Sequence, residues 1–241
     1  MKKYLSTAAV AAVLLLSACS VPQMAVESNF KSQAQELPIE GRKVLKPNGD
    51  FRIGDYTVAN VHRGWKRGSG FNILGYDNVK SAQKYEFSLQ DTQNGGEWYV
   101  FGASKLHEKN LKSNNGLTIQ LAANKEYYAS YFTSPESGQW QLVTVDPGHY
   151  LARNKFEGQV INGVKMYKVA PVYKFEGQKI PTGDIVGYEF KDDEEVIAAV
   201  QVVNNGKVWM RSDLSNDTRM VLASAAASLL LYDKLKDSGI D

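Results

Sequence analysis

Residues 220–232 are an unbroken helix-favouring run of Met, Val, Leu and Ala closed by Tyr232, interrupted only by the hydroxyls of Ser224 and Ser228. Ser215, Asn216 and Asp217 offer an N-cap ahead of the run. Lys234 and Lys236 suit the negative end of a helix dipole, and Gly239 suits its exit, so a helix over about 217–236 is predicted. The two serines are expected to bond back to carbonyls one turn earlier. A helix with no polar stripe has to be surrounded on every side. At 1.5 Å per residue the apolar run is about 20 Å long, short of a hydrocarbon core of roughly 30 Å. The expectation is therefore a helix enclosed by protein, and the remaining chain decides what encloses it.

The remaining chain reads as sheet. Thirteen Tyr, nine Phe, four Trp and twenty Gly favour strands and turns. Strands are predicted near 51–63, 85–89, 98–104, 116–122, 127–132, 140–145, 165–173, 186–190, 196–203 and 207–211. Turn dipeptides separate them, and Asn205-Gly206, between Val203 and Val208, predicts a two-residue type I′ hairpin. The pentapeptide Lys-Phe-Glu-Gly-Gln occurs at 155–159 and again at 174–178, which predicts two similar hairpin turns. The expected fold is mainly β: an antiparallel β-barrel of about ten to twelve strands around a hydrophobic C-terminal helix. Residues 48–241 form this domain, and 19–47, rich in Gln, Ser, Glu and Lys with little apolar periodicity, precede it as a flexible tether. A short strand over 37–44 is compatible with that tether.

Two resemblances follow from particular residues. Val186-Gly187-Tyr188-Glu189-Phe190, then Val196-Ile197-Ala198-Ala199-Val200, Val208-Trp209, Asp217 and the apolar helix ending Tyr232-Asp233 are similar to the C-terminal third of the tubby-like superfamily, which includes the phospholipid scramblases and the LURP-one proteins. That resemblance implies strands wrapped around a helix and an association with membranes. Its phosphoinositide binding is not carried over.

The second lies at the start of the chain. Lys2 and Lys3 are followed by an uncharged run of small and apolar residues over 5–16, the pattern of a secretory signal. Leu16-Ser17-Ala18-Cys19 resembles the lipobox of bacterial lipoproteins, which implies a signal peptide over 1–18, cleavage before Cys19, and diacylglycerol and palmitate-type chains on Cys19. Cys19 is the only cysteine in the chain, so lipidation leaves no thiol for a disulfide or a cysteine-ligated metal. The alternative is an ordinary signal peptide with a cysteine near its cleavage point. Acyl chains contribute about 0.8 kcal/mol per buried CH₂, and several of them hold a protein permanently. By similarity to the proteobacterial sorting pattern, Ser20 after the cysteine implies the outer membrane, with the domain facing the periplasm.

Cleavage removes Lys2 and Lys3, so the 28 basic residues fall to 26 and equal the 26 acidic ones. The charge of the mature chain offers nothing to nucleic acid. His62, His107 and His149 stand on separate segments without metal-ligand spacing, so no metal and no cofactor is expected. Ser69 in Gly68-Ser69-Gly70 lacks nucleophile-elbow spacing. Gly158 to Lys165 has Val164 where a phosphate loop needs lysine, and is read as a hairpin. Asp192-Asp193-Glu194-Glu195 is read as a solvated turn, with calcium binding as its alternative.

One segment is read as functional. Arg63, Trp65, Lys66 and Arg67 precede the Gly68-Ser69-Gly70 turn, a pattern suited to anionic headgroups, with the indole at the interface and the cations on phosphate. The alternative is a strand end with ordinary exposed bases. No catalytic constellation emerges. The expected function is non-enzymatic: a membrane-anchored envelope lipoprotein that binds a lipid headgroup or an envelope partner. An assembly accessory of the outer membrane and an uncharacterised hydrolase are the other readings. A barrel filled by its own helix leaves little room for cargo, so binding is expected on the rim or outer face.

Overall fold

The computed structural model describes residues 21–43, 48–63, 83–104, 110–112, 118–120, 126–134, 138–146 and 150–232. Helix α1 spans Ser28–Gln33, and strands β1 Ala34–Leu37, β2 Ile39–Glu40, β3 Phe51–Ile53 and β4 Tyr56–Arg63 follow. Then come β5 Gln83–Asp91, β6 Glu97–Ser104, β7 Asn110–Lys112, β8 Thr118–Gln120, β9 Glu126–Ser134 and β10 Gly138–Asp146. After a 3₁₀ turn at Tyr150–Lys155 the chain forms β11 Glu157–Ile161, β12 Met166–Val172, β13 Gly187–Asp192, β14 Glu195–Gln201, β15 Lys207–Arg211 and helix α2 Asn216–Leu231.

Thirteen strands form one antiparallel sheet in the order β1-β15-β14-β13-β12-β11-β10-β9-β6-β5-β4-β3-β2, while β7 and β8 pair separately. Its two outer strands, β1 and β2, are neighbours in sequence, separated only by Pro38. Proline lacks the donor a continuous ladder needs, so the chain changes partner there, pairing with β15 before it and β3 after it. The Pro38 carbonyl accepts from Gly54 N at 2.9 Å. The sheet thus rolls into a nearly closed barrel whose seam is a single bent segment, which leaves little free edge.

Helix α2 fills the barrel, as the apolar run required. Ser215 caps it by accepting from Thr218 N at 3.3 Å. Every residue from Met220 to Leu231 is buried. The alanines let strands approach closely, and each buried leucine contributes about 1.5–3 kcal/mol of apolar burial. The wall supplies matching side chains from alternate strand positions, among them Val58, Leu89, Val100, Phe132, Leu142, Val160 and Phe190.

A second apolar cluster lies on the outside of this wall. Met24 and Phe30 pack with Val186, just before β13, with Val196 and Ala199 of β14, and with Trp209 of β15. The flexible tether expected over 19–47 is therefore corrected for residues 21–43: this stretch is a strap. Met24 is fully buried, and Phe30 and Leu37 nearly so. Polar composition hid the strap because its apolar contacts are few and irregularly spaced: Met24 and Phe30, with Val26 and Ala34 partly buried, pack on the outer wall, while Leu37 joins the barrel core. The domain consequently begins well before residue 48.

Three local expectations also change. Residues 202–206 form the β14–β15 link, with Asn204 at φ 59 and Gly206 at φ 83, and Gly206 N donates to Val203 O at 3.2 Å. This replaces the two-residue hairpin at Asn205-Gly206. The tightest connection in the region is instead Asp193-Glu194, with Asp193 at φ 53. The two pentapeptides adopt different conformations: 155–159 leaves the 3₁₀ turn and enters β11, whereas 174–178 forms a turn with Gly177 at φ 75. Ser224 Oγ does not bond back along the helix and has no hydrogen-bond partner. The Gly158–Lys165 segment is a hairpin, as expected: Asn162 Oδ1 accepts from Val164 N and Lys165 N.

The register places strand ends at two unlike poles. At one, Ile53 faces Tyr56, Gln90 faces Glu97, Gly138 faces Ser134, Ile161 faces Met166 and Asp192 faces Glu195, all joined by short connections. At the other, Arg63 faces Tyr85, Ser104 faces Tyr128, Val145 faces Glu157 and Val172 faces Gly187. This second pole carries the long connections 64–82, 105–125, 147–156 and 173–186. Helix α2 points its C-terminus at it.

Candidate functional site: the long-connection pole

Long connections on a rigid scaffold are where binding surfaces concentrate. At this pole the first requirement is to close α2, because the last turn of a helix leaves carbonyls without intrahelical donors and concentrates partial negative charge. Arg63, the last residue of β4, donates from Nη2 to Leu231 O at 2.8 Å. Arg42, just past β2, donates from Nη2 to Leu230 O at 2.9 Å and from Nη1 to Asn204 O at 3.1 Å. Two guanidinium groups, both from the β2–β4 side of the barrel seam, thus cap one helix end.

A hydroxyl network lies one turn deeper. Tyr85 Oη donates to Ser228 O at 3.0 Å, which commits its only proton. The Tyr85–Tyr128 hydroxyl contact therefore takes its proton from Tyr128. Ser130 Oγ donates to Phe101 O at 3.0 Å, so Ser228 Oγ is the donor to Ser130 Oγ at 2.9 Å. Burial pushes the Tyr85 hydroxyl well above its ordinary range, despite hydrogen bonding with Ser228 and Ser130 and the charge of Arg63. Tyr85 is a fixed donor rather than a base. The ring of Tyr232 stacks on Tyr128 with centroids 4.4 Å apart, which seals the network from above.

The strap docks at the same pole. Gln201, at the end of β14, is buried. Its Oε1 accepts from Met24 N at 2.8 Å, and its Nε2 donates to Pro22 O at 3.3 Å. Ala25 N donates to Lys174 O at 2.9 Å and Glu176 N to Gln23 O at 2.8 Å, making a short ladder with the turn after β12. Gly187 is glycine for a steric reason: a Cβ there would lie 2.2 Å from Met24 Sδ and 2.2 Å from Val200 O.

Of the four residues read as a headgroup site, Arg63 caps α2 through its Nη2. Trp65, Lys66 and Arg67 lie outside the described residues, as do Cys19, Ser69, His107 and His149. His62 is exposed on β4 opposite Glu86. In the acidic run, Asp192 meets Lys165 at 3.6 Å and Glu195 pairs with Arg211. Among the described residues no group of three or more His, Cys, Asp or Glu is placed to hold a metal. Arg42, Tyr85, Tyr128, Ser130 and Gln201 were not singled out by sequence reasoning. Gln201 alone left a trace, as an amide inside a Val-rich strand.

No family model matches the chain, and neither a curated protein nor a solved structure matches it.

Proposed function

We propose that this chain is an envelope lipoprotein, cleaved behind Ala18 and acylated on Cys19, whose barrel serves as a non-enzymatic binding module at the periplasmic face of the outer membrane. The observation that carries the binding reading is the occupied interior. Every residue of α2 from Met220 to Leu231 is at most 5 % exposed, so ligand or partner contacts belong to the rim and outer face. The hydroxyl protons of Tyr85, Ser130 and Ser228 are committed to backbone carbonyls and to one another, which leaves them no catalytic work. The lipoprotein reading rests on Leu16-Ser17-Ala18-Cys19.

Mass spectrometry of the protein extracted from membranes tests the anchor: the first peptide is expected to begin at Cys19 and to carry diacylglycerol and an amide-linked acyl chain. An unmodified or differently cleaved peptide overturns it. Native mass spectrometry of the same material tests the binding role through a retained small ligand, and in-cell cross-linking tests it through a defined partner. For headgroup contact, Lys66→Gln with Arg67→Gln is expected to reduce sedimentation of the unlipidated domain with anionic liposomes. Arg63 is left intact in that variant because it holds α2.

A further inference from the structure

We infer that the anchor and the strap together fix the barrel's orientation, with the long-connection pole against the headgroup layer of the membrane that holds the lipid. This rests on the reading that Cys19 is acylated. The strap is pinned from its first described residues: Pro22 O and Met24 N both bind the Gln201 amide, Met24 is fully buried, and Gln23 and Ala25 pair with the turn at Lys174 and Glu176. Cys19 precedes Pro22 by three residues, and a fully extended chain advances at most about 3.6 Å per residue. The acylated cysteine therefore lies within roughly 11 Å of a point on the long-connection pole. The nine residues of β10 cover about 30 Å along the strand, or roughly 23 Å of barrel height at ordinary strand tilt. The short-turn pole is then too far away to reach the bilayer. A tether of the length expected from sequence would have allowed every orientation.

The chemistry of this pole suits an interface of lipid headgroups. Val21 is 61 % exposed and Ile180 is 80 % exposed, two aliphatic side chains facing solvent beside the strap's anchor point. Lys174 and Lys179 are exposed on the same 173–186 connection, whose base is closed by Thr182 N donating to Tyr173 O at 2.6 Å. Cations and aliphatic groups together favour a phosphate-bearing surface. Exposed side chains of the same kinds, Val164 and Lys165 beside Asp193 and Glu194, stand at the opposite pole, so the short leash from Cys19 to the pinned strap sets the orientation.

The test uses the full lipidated protein in vesicles of phosphatidylethanolamine and phosphatidylglycerol. Acylation consumes the only native thiol, so Ile180→Cys or Glu194→Cys supplies a unique position for a fluorophore. Energy transfer to an acceptor on the lipid headgroups is expected to be several-fold stronger from position 180 than from position 194. Inserting a twenty-residue Gly-Ser spacer between Ser20 and Val21 is expected to bring the two efficiencies together. Equal or reversed transfer without the spacer, in protein whose acylation is verified by mass, overturns the orientation alone. Absence of acyl chains overturns the anchor reading, and the orientation with it.

Discussion

Arg63 Nη2 stands 2.8 Å from the carbonyl of Leu231, so the last residue of β4 closes the last turn of the helix that β4 encloses. The contact joins residues far apart in the chain and neutralises the negative end of a buried dipole. A helix end turned toward loops needs such a donor, because its terminal carbonyls otherwise meet no partner of their own.

Arg63→Ala is accordingly expected to destabilise the domain by about 2 kcal/mol, the scale of a charged hydrogen bond to a helix terminus. For a domain of this size that lowers Tm by roughly 4–8 °C. Arg42→Ala, which releases Leu230 O, is expected to act similarly. Thermal unfolding of both variants checks the pair, and an unchanged Tm for either one removes it from the cap.

The two serines of α2 are expected to respond in opposite directions. Ser228→Ala breaks the bond to Ser130 Oγ and lowers stability by about 1 kcal/mol. Ser224 Oγ is buried without a partner, so Ser224→Ala removes a desolvation cost and raises stability by up to about 1 kcal/mol. Urea unfolding distinguishes them, and a loss at position 224 would mean that its hydroxyl has a donor or acceptor after all.

Identical pentapeptides predict unequal glycine effects. Gly177 adopts φ 75 with open space around it, so Gly177→Ala incurs only the backbone cost, about 1 kcal/mol. Gly158 lies in β11, where a Cβ would meet Val169 O at 2.8 Å, and Gly158→Ala is expected to cost about 3 kcal/mol. Equal losses in denaturant unfolding would contradict the two conformations.

Asp91 gives a pH dependence. Burial pushes its carboxyl up, but hydrogen bonds from the Asn94 side chain and from the backbone of Asn94 and Gln93, with the charge of Arg219, bring it below the ordinary range. A lowered carboxylate contributes stability above its unfolded pKa of about 3.9, and that contribution is lost as pH falls through the folded value. Asp91→Asn should therefore cost most at neutral pH, and the gap to the natural protein should close between about pH 5 and pH 2. Urea midpoints across that interval measure it, and a gap independent of pH would exclude the ionised carboxyl as its source.

Much of the wall was legible because strand signals are local. Ten predicted strands fall on observed ones, although 51–63 is two strands broken by a turn at Gly54-Asp55 and 116–122 belongs to the separate β7–β8 pair. β1, β2, β7 and β11 were harder to read, being short runs whose alternation is carried by one or two side chains. The rim was scarcely legible. Nothing around Arg42 or Gln201 announces that one closes a helix nearly two hundred residues away and the other clamps the strap. That Arg63 closes the helix end was not legible either, because a guanidinium looks the same in sequence whether it meets a phosphate or a carbonyl.

The sequence by itself determined that residues 220–232 had to be enclosed and that the enclosure had to be sheet, because an all-round apolar helix and alternating aromatic and β-branched runs are properties of neighbouring residues. Only the tertiary structure decided that residues 21–43 strap the outer wall, that Arg63 faces the helix, and that the long connections gather at one pole. Those outcomes depend on strand order and register, which bring distant segments together and leave no local pattern by which to foresee it.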